Sequence, residues 1–374
     1  MRRPPPAGRS PECTHSRAPA PNERDGDILK HALGSEHPSD SHAASRPSRA
    51  VWRYVLTAAR LLLLAASLWA LSHEFSGQRP IAVYHRLIGY GFAHIALGVA
   101  CTALSFLLLG AVELLALRTA GGPAASIPRR EAFGTAFVAH ALSQSVGFAV
   151  LTGATVRLRA YQRRGLGGTQ VAQVSAAVTL TLTLGLLSAA AWAFVGASAP
   201  VVAFGRTIPV RPVGSVLAGA VIAYLGWSLI GRGPRAPRKR WRIARPTVPV
   251  AVTQIALSTA DWFVTGVVLY AFTAGAFGLG LWLFMPAYVV AQTVGVVSHV
   301  PAGAGVFELA LLGLLTAANP ACDRAALLAA LIMYRVVYYV VPLCVALAVA
   351  GLSELRRARA PSAEITASVR PIPR

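Results

Sequence analysis

The sequence predicts an all-α polytopic membrane protein with about six spanning helices and two re-entrant helical hairpins. Of its 374 residues, 55% are hydrophobic and only 13% are charged, and the mean hydropathy is +0.55. Several apolar runs reach or exceed the roughly 20 residues that a helix needs to cross a bilayer. The arginines lie mainly in the loops between these runs, as expected when basic residues orient a protein in a membrane.

Nine apolar runs follow one another along the chain. They occupy about 54–72, 87–117, 132–152, 169–196, 213–231, 247–275, 281–297, 303–318 and 325–353. The segments at both ends are polar and carry almost no apolar periodicity. We therefore expect a disordered cytoplasmic tail at 1–50, a transmembrane domain at 51–355 and a basic cytoplasmic tail at 356–374.

The net charge of +21 would indicate nucleic-acid binding in a soluble protein. Here the basic residues flank apolar runs, where they contact anionic lipid headgroups. We therefore predict a membrane partner and no nucleic-acid partner. The four cysteines form no CxxC pair, and no histidines lie beside them at ligand spacing, so the sequence predicts neither a metal site nor a cofactor.

The third run is predicted to be a re-entrant hairpin. Arg129 and Arg130 precede it, and Arg163 and Arg164 follow it. Basic loops belong on the cytoplasmic side, so the run at 132–152 should enter and leave the membrane on that side. Its sequence AHALSQSVGFAVLTG is more polar and richer in glycine than a lipid-facing span. With this hairpin, both chain termini are predicted to be cytoplasmic.

A second hairpin is predicted at 281–318, entering from the opposite side and breaking at Pro301, Gly303 and Gly305. Lipid offers no hydrogen bonds, so such broken backbone must be buried in protein or line a cavity. Two hairpins of opposite orientation make the halves a candidate inverted repeat, a common transporter plan. The alternative topology is eight ordinary spans with a weak charge rule.

Three motifs of this chain are familiar as a set. The pattern G-x-x-x-R-x-R-x-Y lies in TGATVRLRAYQRRGLGGTQVAQV (152–174), V-P-x-G-x-G-x-F-E in SHVPAGAGVFELALLGLL (298–315) and Y-R-x-x-Y-Y in MYRVVYYVVPLCVALAVAGLSEL (333–355). Together they resemble the transmembrane domain of lysylphosphatidylglycerol synthases, which is also found in the multiple peptide resistance factor. The resemblance spans roughly 50–355.

The resemblance implies translocation of an aminoacylated phospholipid from the inner to the outer leaflet of the bacterial inner membrane. In that family a separate soluble domain performs the synthesis. Because the sequence ends where that domain would begin, we expect no enzymatic activity and no catalytic residues. One position departs from the family, since Glu113 stands where aspartate is frequent.

Glu308 and Arg335 are the first candidate substrate-binding residues. Glu308 lies in the first turn of the helix that restarts after the break. The free N–H groups of this turn favour an anion such as phosphate. The Glu308 carboxylate itself is predicted to receive a cationic aminoacyl group, and its structural alternative is an interaction with its own helix end. Arg335 is predicted to hold a phosphate, with Tyr338 on the same face. Its alternative role is an ion pair with Glu308 or Asp261.

Asp261 is predicted to be a second ligand for the cationic group, or else to lie near an interface that Trp262 anchors. The remaining candidates are basic or polar residues near the two hairpins. Arg157, Arg159 and Tyr161 are predicted to recruit anionic headgroups, while the alternative of ordinary cytoplasmic arginines applies to Arg163 and Arg164. Glu113 would pair with one of these arginines or contact substrate. His299 would switch charge near neutral pH or stay neutral in the core.

We predict that the protein translocates a phospholipid or aminoacylated lipid. One alternative is a secondary transporter for a small polar solute, since inverted hairpins suit either cargo. Another is an accessory protein that binds a lipid-modifying enzyme through the basic loop at 232–245. A cavity that opens sideways to lipid would favour the first hypothesis, and a sealed cavity would favour the solute carrier.

Overall fold

The structure is a computed structural model that describes residues 80–146, 149–196, 201–203, 206–230, 245–277, 280–319 and 323–358, together with 65 and 69. The predicted tail at 1–50 and nearly all of the first apolar run lie outside the described residues. So do the basic loop at 232–244 and the C-terminal tail from 359.

The described chain is helical almost throughout, which confirms the predicted all-α polytopic fold. The helices are α1 (Pro80–Ile88), α2 (Phe92–Ala120), α3 (Arg129–Val146), α4 (Ala149–Gln162), α5 (Gly168–Val195), α6 (Val210–Ile230), α7 (Val248–Phe277), α8 (Leu281–Val297), α9 (Val306–Ala318), α10 (Arg324–Arg335) and α11 (Val341–Ala358). The exception is a short antiparallel ribbon, β1 (Val201–Ala203) and β2 (Arg206–Ile208), between α5 and α6.

Five segments of the described chain are long and apolar enough to cross a membrane. They are α2, α5, α6, α7 and the continuous rod at 324–352 that joins α10 to α11 through a π-helical turn, Val336–Val340. A sixth span, predicted at 54–72, falls where only Ala65 and Trp69 are described. The rod begins at Asp323, whose carboxylate accepts hydrogen bonds from the N–H groups of Ala325 and Ala326.

The first predicted hairpin is the helix pair α3 and α4. The apolar run was predicted to end at 152, but α4 continues to Gln162. Hydropathy ends the run too early because Arg157, on the added turns, is buried and neutralised by Glu113 from α2. Arg157 and Tyr161 therefore lie within the second helix of the hairpin rather than in a loop after it.

The second hairpin is the pair α8 and α9, and its break lies where the sequence predicts it. After α8 ends at Val297, a 3-10 turn spans Pro301–Gly303, and α9 begins at Val306. His299 and Ala302 adopt φ angles of 55° and 56°. Positive φ values are uncommon for residues other than glycine, and they concentrate at functional segments.

Each hairpin packs against a span from the other half of the chain. α3 contacts α11, whereas α8 contacts α5, and the central spans α2 and α7 cross each other. The helix α3 also contacts the Pro301–Gly303 turn. Each hairpin therefore contacts both halves of the chain, and the inverted repeat stays a prediction. The sidedness of the hairpins and of the termini stays a prediction.

The α5–α7 crossing depends on a glycine. A Cβ atom at Gly185 would lie 2.1 Å from the Oγ atom and 2.5 Å from the carbonyl carbon of Ser258. Because backbone cannot move aside as a side chain does, we expect Gly185→Ala to lower the free energy of unfolding by about 1 to 3 kcal/mol. Thermal unfolding of the detergent-solubilised protein measures the loss.

Gly219→Ala on α6 is the matched control for this substitution. A Cβ atom at Gly219 meets nothing within 4 Å. We expect stability to stay equal or to rise by about 0.5 to 1 kcal/mol, since alanine is the better helix former. Equal unfolding temperatures for the two variants would contradict the close crossing.

Candidate functional site

A partly open cavity of about 500 Å³ lies between the two hairpins and the spans α5 and α7. Polar side chains from both hairpins and α7 line it: His140, Ser143, Gln144, Arg157, Asp261, Gln292 and His299. Another part of the wall is aromatic and is formed by Trp262, Tyr288, Phe307, Tyr334, Tyr338 and Tyr339. A concave, mostly apolar wall with a few convergent polar groups is the usual form of a ligand-binding site.

The mouth of this cavity lies at mid-height of α5. Thr179 and Thr183 border the cavity and are exposed, as are Leu151 at the start of α4 and Val296 near the end of α8. With a rise of 1.5 Å per residue, the two threonines lie about 17 and about 23 Å along a helix about 42 Å long. The cavity therefore opens beside the middle of a span rather than at its end.

Arg157 is the centre of a buried polar cluster between α2, α3 and α4. Its Nε atom lies 2.9 and 2.8 Å from the two carboxylate oxygens of Glu113, and its Nη2 atom lies 2.7 Å from Oε2. The Tyr161 hydroxyl donates to Glu113 at 2.9 Å, and His140 Nε2 lies 3.4 Å from Arg157 Nη2. Glu113 is fully buried, so the sequence-predicted partnership with an arginine neutralises it inside the protein.

Arg157 also lines the cavity, and one of its nitrogens makes no described hydrogen bond. Its described hydrogen bonds use Nε and Nη2, while Nη1 lies over Gly153 one turn earlier, since helical side chains lean toward the N-terminus. A Cβ atom at Gly153 would lie 2.9 Å from this Nη1 and 3.0 Å from the Oγ of Ser143. Gly153 therefore keeps open a small space beside both groups.

Ser143 gives this space a second polar group. Its hydroxyl is buried, borders the cavity and has no hydrogen-bond partner within the part of the chain that the structure describes. Most buried hydroxyls are hydrogen-bonded, so an unpartnered one beside a cavity is available to water or to a ligand. A guanidinium N–H and a hydroxyl that reach one space suit an oxyanion such as a phosphate.

Glu308 and Arg335 form a second cluster that holds the tip of the second hairpin. Arg335 donates through Nε to Glu308 Oε1 at 2.8 Å, and its Nη2 bonds the same oxygen. Arg335 Nη1 donates to the Ala302 carbonyl at 2.8 Å, and Glu308 Oε2 accepts from the N–H of Gly305 at 2.7 Å. The structural alternative for Glu308, the helix-end contact, and that for Arg335, the ion pair with Glu308, are therefore present together.

Asp261 forms a third cluster, at the crossing of α2 and α7. Ser105 Oγ on α2 donates to its Oδ1 at 2.5 Å and lies 3.0 Å from the Tyr338 hydroxyl. Asp261 is 4% exposed and borders the cavity. The π-helical turn that carries Tyr338 makes the contact with α2, and such turns often occur at functional sites.

The predicted site residues divide into three groups. Arg157, Asp261, His299, Tyr338 and Gly303 line the cavity. Glu113 and Tyr161 support Arg157, and the Glu308–Arg335 pair supports the hairpin tip to which the backbone of Pro301 and Gly305 belongs. Arg159 is exposed on α4 and joins none of the clusters.

Sequence reasoning missed several residues that the structure brings to these sites, and Ser143 and Ser105 show why. Ser143 lies in the polar stretch of the first hairpin, but nothing in the sequence distinguishes it from its neighbours Gln144 and Ser145. Ser105 is a single hydroxyl in an apolar run, and its contact with Asp261 crosses 156 positions of the chain. The one available signal is that each polar residue interrupts an apolar helical face.

Comparison with known proteins identifies relatives over most of the chain. An uncharacterized protein of Synechocystis, slr0712, is 31% identical over 291 residues, which cover 77% of this chain and 87% of that protein. The chain belongs to the slr0712 family. The inner membrane protein YbhN of Escherichia coli is 24% identical over 311 residues, which cover 83% of this chain and 93% of YbhN. No family model matches the chain.

These matches extend over the helical region rather than over one motif. One relative is named an inner membrane protein, and the described chain has five apolar helices of spanning length. The protein is therefore an integral, multi-pass membrane protein. All three buried clusters lie within its helical region.

Proposed function

We propose that this protein moves a phospholipid or aminoacylated lipid between the leaflets of the bacterial inner membrane. The observation that supports it most is the cavity mouth at mid-height of α5, where Thr179 and Thr183 are exposed. At this depth a spanning helix is surrounded by hydrocarbon. A headgroup inside the cavity would then keep its acyl chains in the bilayer through the mouth between Leu151 and Val296.

In this proposal the lipid phosphate binds beside Arg157. The Nη1 atom of Arg157 and the unpartnered hydroxyl of Ser143 reach the same space above Gly153. Arg335 was the phosphate ligand predicted from sequence, but its three nitrogens bond Glu308 and Ala302. We therefore assign Arg335 to the hairpin tip and Arg157 to the headgroup.

The finer identity of the cargo rests on the family resemblance. We propose that residues 51–355 act as a transmembrane domain of the lysylphosphatidylglycerol synthase type, without synthase activity and with both termini cytoplasmic. The mostly aromatic wall around Asp261 is compatible with a headgroup that carries an amine, since such rings attract cations. An enzyme that makes the lipid would be its natural partner.

Leaflet exchange in liposomes reconstituted with the purified protein tests the proposal. Fluorescent phosphatidylglycerol and lysylphosphatidylglycerol are compared with a fluorescent polar solute trapped inside the same vesicles. We expect faster exchange of lipid than in protein-free vesicles, with the solute retained. Solute release without lipid exchange would favour a solute carrier. Neither activity in folded protein would favour the accessory role.

Gly153→Ala tests the headgroup site in the same assay. The added methyl occupies the space at Arg157 Nη1 and Ser143 Oγ. The Ser143 hydroxyl can rotate away, whereas Arg157 is held by Glu113. We expect about tenfold slower exchange, as for the loss of one charged hydrogen bond, and a stability loss of about 1 kcal/mol, the low end for overpacking. Gly134→Ala on α3, where a Cβ meets nothing within 4 Å, is the matched control and should exchange normally.

A further inference from the structure

Asp261 differs from the other buried carboxylates in having no cationic partner. Within the described residues, Arg157 pairs with Glu113 and Arg335 pairs with Glu308, and no ion pair reaches Asp261. Its described hydrogen bond comes from a hydroxyl, at one oxygen only. A carboxylate buried without a countercharge is costly. Asp261 must therefore gain a proton or a cation in at least part of its working cycle.

The surroundings of Asp261 favour a proton over a metal ion. Around it stand the hydroxyls of Ser105 and Tyr338. Among the described residues no group of three His, Cys, Asp or Glu side chains lies together as a metal site needs, and hard cations require several oxygen ligands. The cavity that Asp261 borders is partly open, so water can bring a proton to the carboxylate.

Titratable and charged groups face Asp261 from most of its neighbours. The groups that border the same cavity are Tyr338 and Tyr339 of the π turn, Tyr288 of α8, Tyr334 of α10, His140, Arg157 and His299. Cys101 lies on α2 one turn before Ser105, and Tyr224 of α6 donates to Gln254, about two turns before Asp261 on α7. α5 carries no ionisable residue. The hydrogen-bonded neighbours are thus hydroxyls that stay neutral over the range in which a carboxyl titrates.

We infer that Asp261 takes up and releases a proton in each cycle and so couples lipid movement to the proton gradient. The inference rests on the proposed function. Water in the cavity delivers the proton, which converts the carboxylate to a neutral carboxyl, and the same oxygen later returns it to water. The charged form holds Ser105 of α2 against α7, and the Ser105 hydroxyl in turn contacts the Tyr338 hydroxyl of the π turn. Protonation weakens the charge-assisted Ser105–Asp261 bond and loosens the contact between the two halves.

Leaflet distribution at equilibrium measures the coupling directly. Proteoliposomes hold a pH difference of about one unit while potassium and valinomycin keep the membrane potential at zero. If one proton moves with each lipid, the concentration of fluorescent lipid in one leaflet should become about ten times that in the other. Where Asp261→Asn vesicles still exchange lipid, at whatever rate, their leaflet ratio should return to unity. Glu131→Gln, an acid that pairs with Arg164 outside the cavity, should keep the tenfold ratio.

Infrared difference spectroscopy of the full-length protein supplies a readout that does not need transport. Lowering the pH should produce a carboxylic-acid band that Asp261→Asn lacks and Glu131→Gln retains. Ser105→Ala is the second variant, in case Asp261→Asn does not fold. It removes a donor to the carboxylate, so the pH at which this band appears should change.

Three outcomes would overturn the coupling. One is a leaflet ratio of unity in wild-type vesicles that do exchange lipid. Another is a tenfold ratio that survives in Asp261→Asn. The third is the absence of a titrating band at this residue. If folded wild-type protein exchanged no lipid, the proposed function would fail and the coupling with it, while the infrared band would still decide whether Asp261 binds a proton.

Discussion

Arg157→Met is expected to lower the free energy of unfolding by about 3 to 5 kcal/mol, because it leaves Glu113 as a buried charge without a partner. Glu113 is fully buried and receives hydrogen bonds from Arg157 and Tyr161. Methionine fills much of the volume of the arginine stem, so the loss reports the missing charge rather than a cavity. Thermal and denaturant unfolding in detergent measure it.

Arg159→Met is the matched control, since Arg159 lies two residues further along the same helix and is exposed. We expect its unfolding to stay close to wild type. The double variant Glu113→Leu, Arg157→Met should recover most of the stability, because apolar residues replace buried ion pairs at little cost. A loss in Arg157→Met no larger than in Arg159→Met would contradict the buried pair.

Arg335→Met is expected to lower the free energy of unfolding by about 3 kcal/mol. This value is the lower end for breaking a buried ion pair, and we choose it because the Arg335 side chain is 21% exposed. It removes the partner of Glu308 and the donor to the Ala302 carbonyl. The hairpin tip then loses the contact that holds Ala302 at positive φ. Unfolding and limited proteolysis near the tip report the two effects separately.

Arg335→Lys separates the charge of Arg335 from its geometry. Lysine keeps a positive charge for Glu308, but its single ammonium lacks the planar fork that reaches both Glu308 and Ala302. We expect intermediate stability, with a tip nearly as sensitive to protease as in Arg335→Met. Wild-type stability and protection in Arg335→Lys would show that charge alone holds the tip.

Local features of the fold were predictable from sequence because they depend on neighbouring residues. A run of apolar residues forms a helix wherever it lies, so the spans that became α2, α5, α6 and α7 are found close to their predicted limits. The break at Pro301–Gly305 was also predictable, since glycine and proline act on the backbone where they occur. Hydropathy placed the end of the first hairpin wrongly, because it counts Arg157 as exposed when Glu113 neutralises it.

The partners of the buried charges required the tertiary structure. The sequence predicted an ion pair of Arg335 with either Glu308 or Asp261, and an ion pair of Glu113 with one of several arginines. In the fold, Arg335 and Glu308 are 27 positions apart, Arg157 and Glu113 are 44 apart, and Ser105 and Asp261 are 156 apart. Periodicity indicates which face of a helix is polar, but not which other helix lies opposite that face.

The sequence by itself determined that this chain is a helical membrane protein with two broken segments and a few buried charges. The tertiary structure decided that two carboxylates are neutralised by arginines, that Asp261 is not, and that a cavity opens beside α5. The physical reason is the separation along the chain of the residues that interact. Burial and backbone breaks follow from local composition, whereas countercharges and cavities exist only where distant helices meet.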